Sequence, residues 1–166
     1  MSEVWLNFVI AFLVQLSFFI VHAFYEKKLP DISRVLGRGV LGGIVLGLLF
    51  DLIVGRFFGL WSYTPGFTIF FLILNAALVY GLFVANTLLM QQARIVHFFI
   101  WTIAMGAVLD ITNLFFHVWT WKFPFVSVGF LIIFVIGNLG TAVLIATTGH
   151  ILFGYRFRFI TDLLKK

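Results

Sequence analysis

The sequence predicts an all-α integral membrane protein with five transmembrane helices, and three observations carry that prediction. Hydrophobic residues make up 63% of the 166 positions and charged residues only 10%, with a mean hydropathy of +1.15, outside the range of a water-soluble domain. A helix needs ~20 mostly apolar residues to cross ~30 Å of hydrocarbon, and five stretches reach that length, near 4–24, 37–58, 67–89, 95–116 and 127–153. Basic residues fall in alternate connections: Lys27, Lys28, Arg34, Arg38, Arg94, Arg156, Arg158, Lys165 and Lys166 border one side, and only Arg56 and Lys122 the other. The positive-inside rule then places the N-terminus outside and the C-terminus in the cytoplasm of a multi-pass cell-membrane protein.

The whole chain, 1–166, reads as one transmembrane domain whose first partner is the lipid bilayer. Its opening segment lacks a charged n-region and a small-residue cleavage site, so it is expected to stay as the first helix. A net charge of +5 would suit nucleic acid on a soluble protein. On this chain it marks cytoplasmic membrane edges, and no nucleic-acid partner is expected. The basic tail 154–166 alternates aromatic and cationic residues, a pattern suited to the headgroup layer of an anionic leaflet. The absence of cysteine excludes disulfides, thiolate metal sites and cysteine nucleophiles.

Each span carries a polar seam. The first has Asn7, Gln15 and His22. The second repeats a small or acidic residue at every fourth position through Gly39, Gly43, Gly47, Asp51 and Gly55. Residues at that interval share one helix face, and glycine there lets another backbone approach closely. The Gly39, Gly43, Gly47 and Gly55 face is therefore expected to pack on a neighbouring helix, and it is a candidate contact for a homo- or hetero-oligomer. Asp51 lies in the same line, facing a helix or an interior cavity, with Arg56 as its candidate ion-pair partner. A carboxylate at that depth costs ~2.5–3.5 kcal/mol on insertion scales, which marks it as a functional candidate. The third span has Asn75 and Asn86; the fourth aligns Gly106, Asp110, Asn113 and His117; the fifth has Asn138 and Thr141. Any one amide is explained by an interhelical hydrogen bond worth ~0.6–2 kcal/mol. Five seams together imply a shared, partly polar interior with Asp51 and Asp110 toward its outer half. His97 and His150 lie near the cytoplasmic ends and read as interfacial.

Two strings, FFGLWSYTPGF (57–67) and FFHVWTWKFPF (115–125), each follow one of the aspartates. Aligned, Phe57 pairs with Phe115, Phe58 with Phe116, Trp61 with Trp119, and Tyr63 with Trp121. Each copy is a helix, a tight outer loop and a helix that starts and ends inside. The hairpin of spans two and three (about 37–89) and that of spans four and five (about 95–153) therefore form an internal parallel repeat about an axis along the membrane normal. Interfacial preference explains aromatic loops by themselves; it does not explain the aspartates. No HExxH, phosphate-cradling glycine loop or serine elbow accompanies them. Asp110, Asn113 and His117 on one helix specify no metal without ligands from a second, so neither a metal nor a cofactor is expected.

The segment FDLIVGRFFGLWSYTP resembles the signature of the lycopene cyclase domain of small membrane carotenoid cyclases, a span aspartate followed by a Gly, Val, Trp, Ser, Phe, x, Pro loop. Asp51, Gly59, Leu60, Trp61, Ser62, Tyr63 and Pro65 stand at those positions. LDITNLFFHVWTW is similar to the same motif through Asp110, Trp119 and Trp121, and to the Asp and Trp-x-Trp pattern of the related bisanhydrobacterioruberin hydratases. The family carries a proline and a pair of glutamates on its next helix, which the resemblance would make the acids; here that span reads LILNAALVYG, and no span contains glutamate. GIVLGLLFDLIVGRFFGL also resembles, over one helix, the glycine-rich span of rod-shape membrane subunits and of vitamin-binding subunits of energy-coupling transporters.

The first resemblance implies a protein that binds a hydrophobic isoprenoid, carotenoid-like or related lipid in an intramembrane cavity, extending to acid-initiated cyclisation or hydration. Asp51 and Asp110 are its candidate catalytic residues. Trp61, Tyr63, Asn75, Asn113, His117, Trp119, Trp121 and Asn138 are its candidate ligand-binding residues. The alternative is a non-catalytic membrane subunit, a scaffold or small-molecule-binding component of a larger complex, and the missing glutamates favour it.

Overall fold

Among the described residues, five helices are long and apolar enough to cross a membrane: Glu3–Tyr25, Leu29–Phe57, Ile69–Gln92, Ile95–Phe116 and Phe134–Ile151. The structure, a computed structural model, describes residues 3–63, 68–122 and 128–164; Pro65 of the quoted motif and the terminal Lys165 and Lys166 lie outside them. In chain order the elements are α1 (Glu3–Tyr25), α2 (Ile32–Phe50), β1 (Trp61–Tyr63), α3 (Ile69–Asn75), α4 (Gly81–Leu89), α5 (Ile95–Phe116), β2 (Trp119–Trp121), α6 (Val128–Phe153) and α7 (Arg158–Leu164). A π-helical turn, Asp51–Phe57, carries α2 onward, and another, Ala76–Tyr80, joins α3 to α4 within the third span. Among the described residues the structure is all-α apart from two three-residue strands.

The second span begins earlier than the hydropathy limit near 37. A 3-10 turn, Leu29–Asp31, with Pro30 at its start leads directly into α2. Proline suits a first helical turn because its missing N–H would have no intrahelical partner there. Large apolar side chains such as Val21, Phe24, Leu41, Val45, Ile100 and Ile136 stand exposed around the bundle. Such a surface is a liability in water and a suitable one in hydrocarbon. The tail is more than a headgroup anchor, since Phe157 and Phe159 are buried and pack with Phe98 in the largest apolar cluster.

The third span is the hub. Every residue of α4 is buried, and the helix meets α1, α2, α5 and α6. Its small residues make this location accessible. A Cβ placed on Gly39 would stand 2.5 Å from the Gly81 carbonyl oxygen, and one on Gly43 would stand 2.5 Å from the Ala76 carbonyl oxygen and run into the backbone of Gly81. The backbones of α2 and the third span are therefore in direct contact. The glycine face, the candidate oligomer contact, is taken up within the chain: Gly39 and Gly43 by this span, Gly47 by the Tyr80 ring, and Gly55 by the Trp61 indole.

At one end, the strands join the connection after the second span to that after the fourth as an antiparallel pair with Trp61 opposite Trp121, Ser62 opposite Thr120 and Tyr63 opposite Trp119. Each strand follows a left-handed residue that ends its helix, Gly59 at φ 62° and His117 at φ 50°. At the opposite end, His22 Nδ1 lies 2.8 Å from Asn86 Oδ1, Glu26 Oε1 lies 2.7 Å from His97 Nε2, and the His22 ring stacks on Trp101. These contacts tie α1 to α4 and α5.

Gly43→Val should lower the melting temperature in detergent by the equivalent of ~1–3 kcal/mol of overpacking or more, because the obstacle is backbone. Gly37→Ala, whose Cβ meets nothing within 4 Å, should leave it unchanged or slightly raised. Circular-dichroism melts of the two variants in one detergent provide the check, and equal melting temperatures would remove the backbone contact from the account of the fold.

Candidate functional site

Asp51 opens the π-helical turn at the end of α2 and is buried. Its Oδ1 accepts hydrogen bonds from the Tyr63 hydroxyl at 2.6 Å and the Tyr80 hydroxyl at 3.3 Å, and Asn75 Nδ2 donates to the Tyr63 oxygen at 3.5 Å. Three parts of the chain thus meet at this group: the turn that carries Asp51, strand β1 and the third span. Tyr63 lies outside the spans, where burial first and the adjacent Asp51 charge second hold its phenol far above its ordinary ionisation range. It therefore serves as a hydrogen-bond donor. Asp51 forms no ion pair with Arg56, whose side chain is on the exposed side of the same turn. Two phenols replace the expected cation at Oδ1 without taking a second charge into the bundle, and the buried Oδ2 accepts no hydrogen bond.

Asp110, buried on α5, has the Trp121 indole from β2 as its polar neighbour. The pattern matches that at Asp51, because Trp121 occupies the position that aligns with Tyr63. A cavity of about 190 Å³ opens against Asp110 and is walled by Trp61, Trp119, Trp121, Tyr80 and Asn138. Ligand pockets commonly occupy ~300–1,000 Å³, and this cavity meets that range only jointly with an adjoining one of about 390 Å³ that shares Phe50, Tyr80, Phe83 and Thr141 with it. Asn138 reaches the wall because Gly106 on α5 leaves the space that its amide fills.

Of the sequence-derived site residues, Asp110, Trp61, Trp119, Trp121 and Asn138 line this cavity. Asp51, Tyr63 and Asn75 form the hydrogen-bonded cluster beside it, and Tyr80 belongs to both. Asn113 is occupied elsewhere: its Nδ2 donates to the Trp119 carbonyl and its Oδ1 accepts the Trp119 N–H, each at 2.8 Å. This clamp gives Trp119 the two backbone bonds of a strand neighbour. His117 is the exposed left-handed residue that turns the chain from α5 into β2.

Tyr80 was not among the expected site residues, although a lone phenol within an apolar span was its sequence signal. The Glu26, His97 and Trp101 cluster around His22 was likewise unexpected, since its members lie on separate spans. Among the described residues, no three His, Cys, Asp or Glu side chains gather closely enough to hold a metal ion. Compared with protein families, with curated proteins and with solved structures, the chain matches none.

Removing the clamp has a definite expected cost. Asn113→Ala leaves both backbone groups of part-buried Trp119 without this partner and should destabilise the fold by ~1–3 kcal/mol. Tyr63→Phe should cost a similar amount by removing the shortest bond to buried Asp51. Thermal melts in one detergent, with tryptophan emission read alongside, measure both. Wild-type melting for Asn113→Ala would show that β2 needs no clamp.

Proposed function

We propose that the protein holds a long isoprenoid or related lipid between its two helix hairpins, with Asp110 as the acid that meets the chain and Asp51 as the buried group that supports the wall beside it. One observation carries this reading: the cavity gathers a buried carboxyl group, three indoles, an amide and the Tyr80 and Thr141 side chains on a wall otherwise apolar. The lycopene-cyclase-like resemblance of the two aspartate motifs points to the same ligand class. Membrane cyclisation or hydration of an isoprenoid would begin with transfer of the Asp110 proton to a terminal alkene carbon, forming a C–H bond and leaving a carbocation. Aromatic faces and the new carboxylate stabilise that cation. It then either closes a ring and returns a proton to Asp110, or takes water and releases a proton to the same group. Asp51, held by Tyr63 and Tyr80, positions Tyr80 in the cavity wall.

The two halves belong to this reading as a parallel repeat, oriented N-out and C-in with the basic end in the cytoplasm. Support comes from the strand register, since a two-fold rotation through the Ser62–Thr120 pair exchanges Trp61 with Trp119 and Tyr63 with Trp121, the pairs that align in sequence. The aligned Gly59 and His117 are both left-handed. Eight positions separate Asp51 from Gly59 and seven separate Asp110 from His117. The π-helical turn Asp51–Phe57 takes up that extra residue, because a turn closed over five residues holds one more than an α-turn.

A non-catalytic lipid-binding subunit is the second reading, favoured by the engagement of Asp51 with two phenols and by the absence of glutamate from the third span. Expression in a host that accumulates lycopene or bacterioruberin precursors separates the two. The catalytic reading expects altered pigments, with product falling ~10²–10⁴-fold in Asp110→Asn as for loss of a general acid. Unchanged pigments beside folded protein that co-purifies with an isoprenoid would select the binding subunit.

A further inference from the structure

The cavity at Asp110 is one end of a cleft that runs the length of the bundle. Its neighbour of about 390 Å³ shares Leu46, Val84 and Ile145 with a third cavity of about 130 Å³, which ends at Arg38, Thr148 and Tyr155. The third span forms the floor, and α2 and α6, which scarcely touch each other, form the walls. On α6, a Cβ added at Gly137 or Gly140 would meet no atom within 4 Å. This side of the bundle is open to a chain-like occupant.

The far end carries Arg38, the one Lys or Arg side chain in the cleft lining among the described residues. The Arg38 guanidinium sits 4.9 Å above the Tyr155 ring centre. Tyr155 is held in turn by its N–H on the Gly149 carbonyl at 3.0 Å and by His150 Nδ1, 2.8 Å from the Tyr155 carbonyl. Arg34 and Arg158 each lie 3.7 Å from a carboxylate, at Asp31 and Asp162, whereas no carboxylate pairs with Arg38 among the described residues. A guanidinium on an aromatic platform, at the mouth of an apolar cleft, matches a phosphate head with an apolar chain behind it.

Length narrows the chain. Twelve positions of α2 separate Arg38 from Phe50, where the Asp110 cavity begins, a rise of ~18 Å. One leaflet contributes about half of the ~30 Å hydrocarbon core, ~15 Å. A phospholipid acyl chain of ordinary length, fully extended from Arg38, only reaches the edge of the aromatic cavity, and a longer chain is needed to run past its indoles. We infer that the cleft accommodates a long-chain prenyl phosphate, its anionic head on Arg38 and its chain running between α2 and α6 to the aromatic cavity at Asp110. This rests on the lipid-cavity reading and narrows its ligand to an anionic amphiphile.

The test uses the full chain in nanodiscs of neutral lipid, with a tritiated long-chain polyprenyl monophosphate, the polyprenol of the same length, and a phosphatidic acid with ordinary acyl chains as probes. Saturable binding of the polyprenyl phosphate is expected, with the polyprenol at least about tenfold weaker, as loss of a charge-assisted contact implies. Arg38→Gln should show the same loss, Arg38→Lys a smaller one, and Gly140→Phe should block the cleft without a clash at its Cβ. Circular dichroism confirms that each variant is folded. Equal binding of polyprenol and polyprenyl phosphate, unaffected by Arg38→Gln, would overturn the head-group assignment while leaving the lipid-cavity reading intact. Equal binding of phosphatidic acid would overturn the chain-length assignment. Binding of none of the three probes would overturn both this inference and the lipid-cavity reading.

Discussion

The direct backbone contact between α2 and the third span is the constraint on which the rest of the bundle depends. Gly39 and Gly43 lie so close to Ala76 and Gly81 that no side chain fits between them. Lipid tails are as apolar as leucine, so two helices gain little in a membrane by hiding apolar surface from each other. Close approach supplies the missing attraction through dispersion between many atoms. Because the third span is seated against α2, Tyr80 can reach Asp51, and its opposite face remains available to α1, α5 and α6.

Two departures from regular helix geometry build the site at the strand-pair end of this contact. Asp51 is the first residue of one π-helical turn and Tyr80 the last residue of the other, and the two are hydrogen-bonded to each other. Wider turns of this kind recur at functional sites because they re-aim side chains at the expense of regular hydrogen bonding. Both aspartates are met by a ring from the strand beyond their own helix, Tyr63 at Asp51 and Trp121 at Asp110. The strand pair couples these rings, so the two acidic positions share one cap.

Much of the fold was legible because membrane helices announce themselves by length and composition. The five spans, the glycine line on α2 and the burial of both aspartates all follow from apolar run length and a fourfold spacing. The limits of that approach are equally physical. At the regular helical period Tyr80 falls ~140° away from Asn75 around the third span, which hides their common task. The π-helical turn Ala76–Tyr80 adds a residue and brings them to the same cluster. Asn113 and His117 share a helical face with Asp110, yet one clamps Trp119 and the other turns the chain. A periodic pattern identifies a face without saying what its members bond.

By itself, the sequence determined that this chain has five apolar helices, that α2 presents a glycine face, and that two aspartates precede aromatic loops. Those properties depend on residue type and spacing along one chain direction. Only the tertiary structure decided which helix fills the glycine face, which aspartate borders the open cavity, and that Arg38 stands at the other end of the same cleft. Such relations arise between segments far apart in sequence, where close packing and hydrogen-bond satisfaction choose among partners that the same composition would permit.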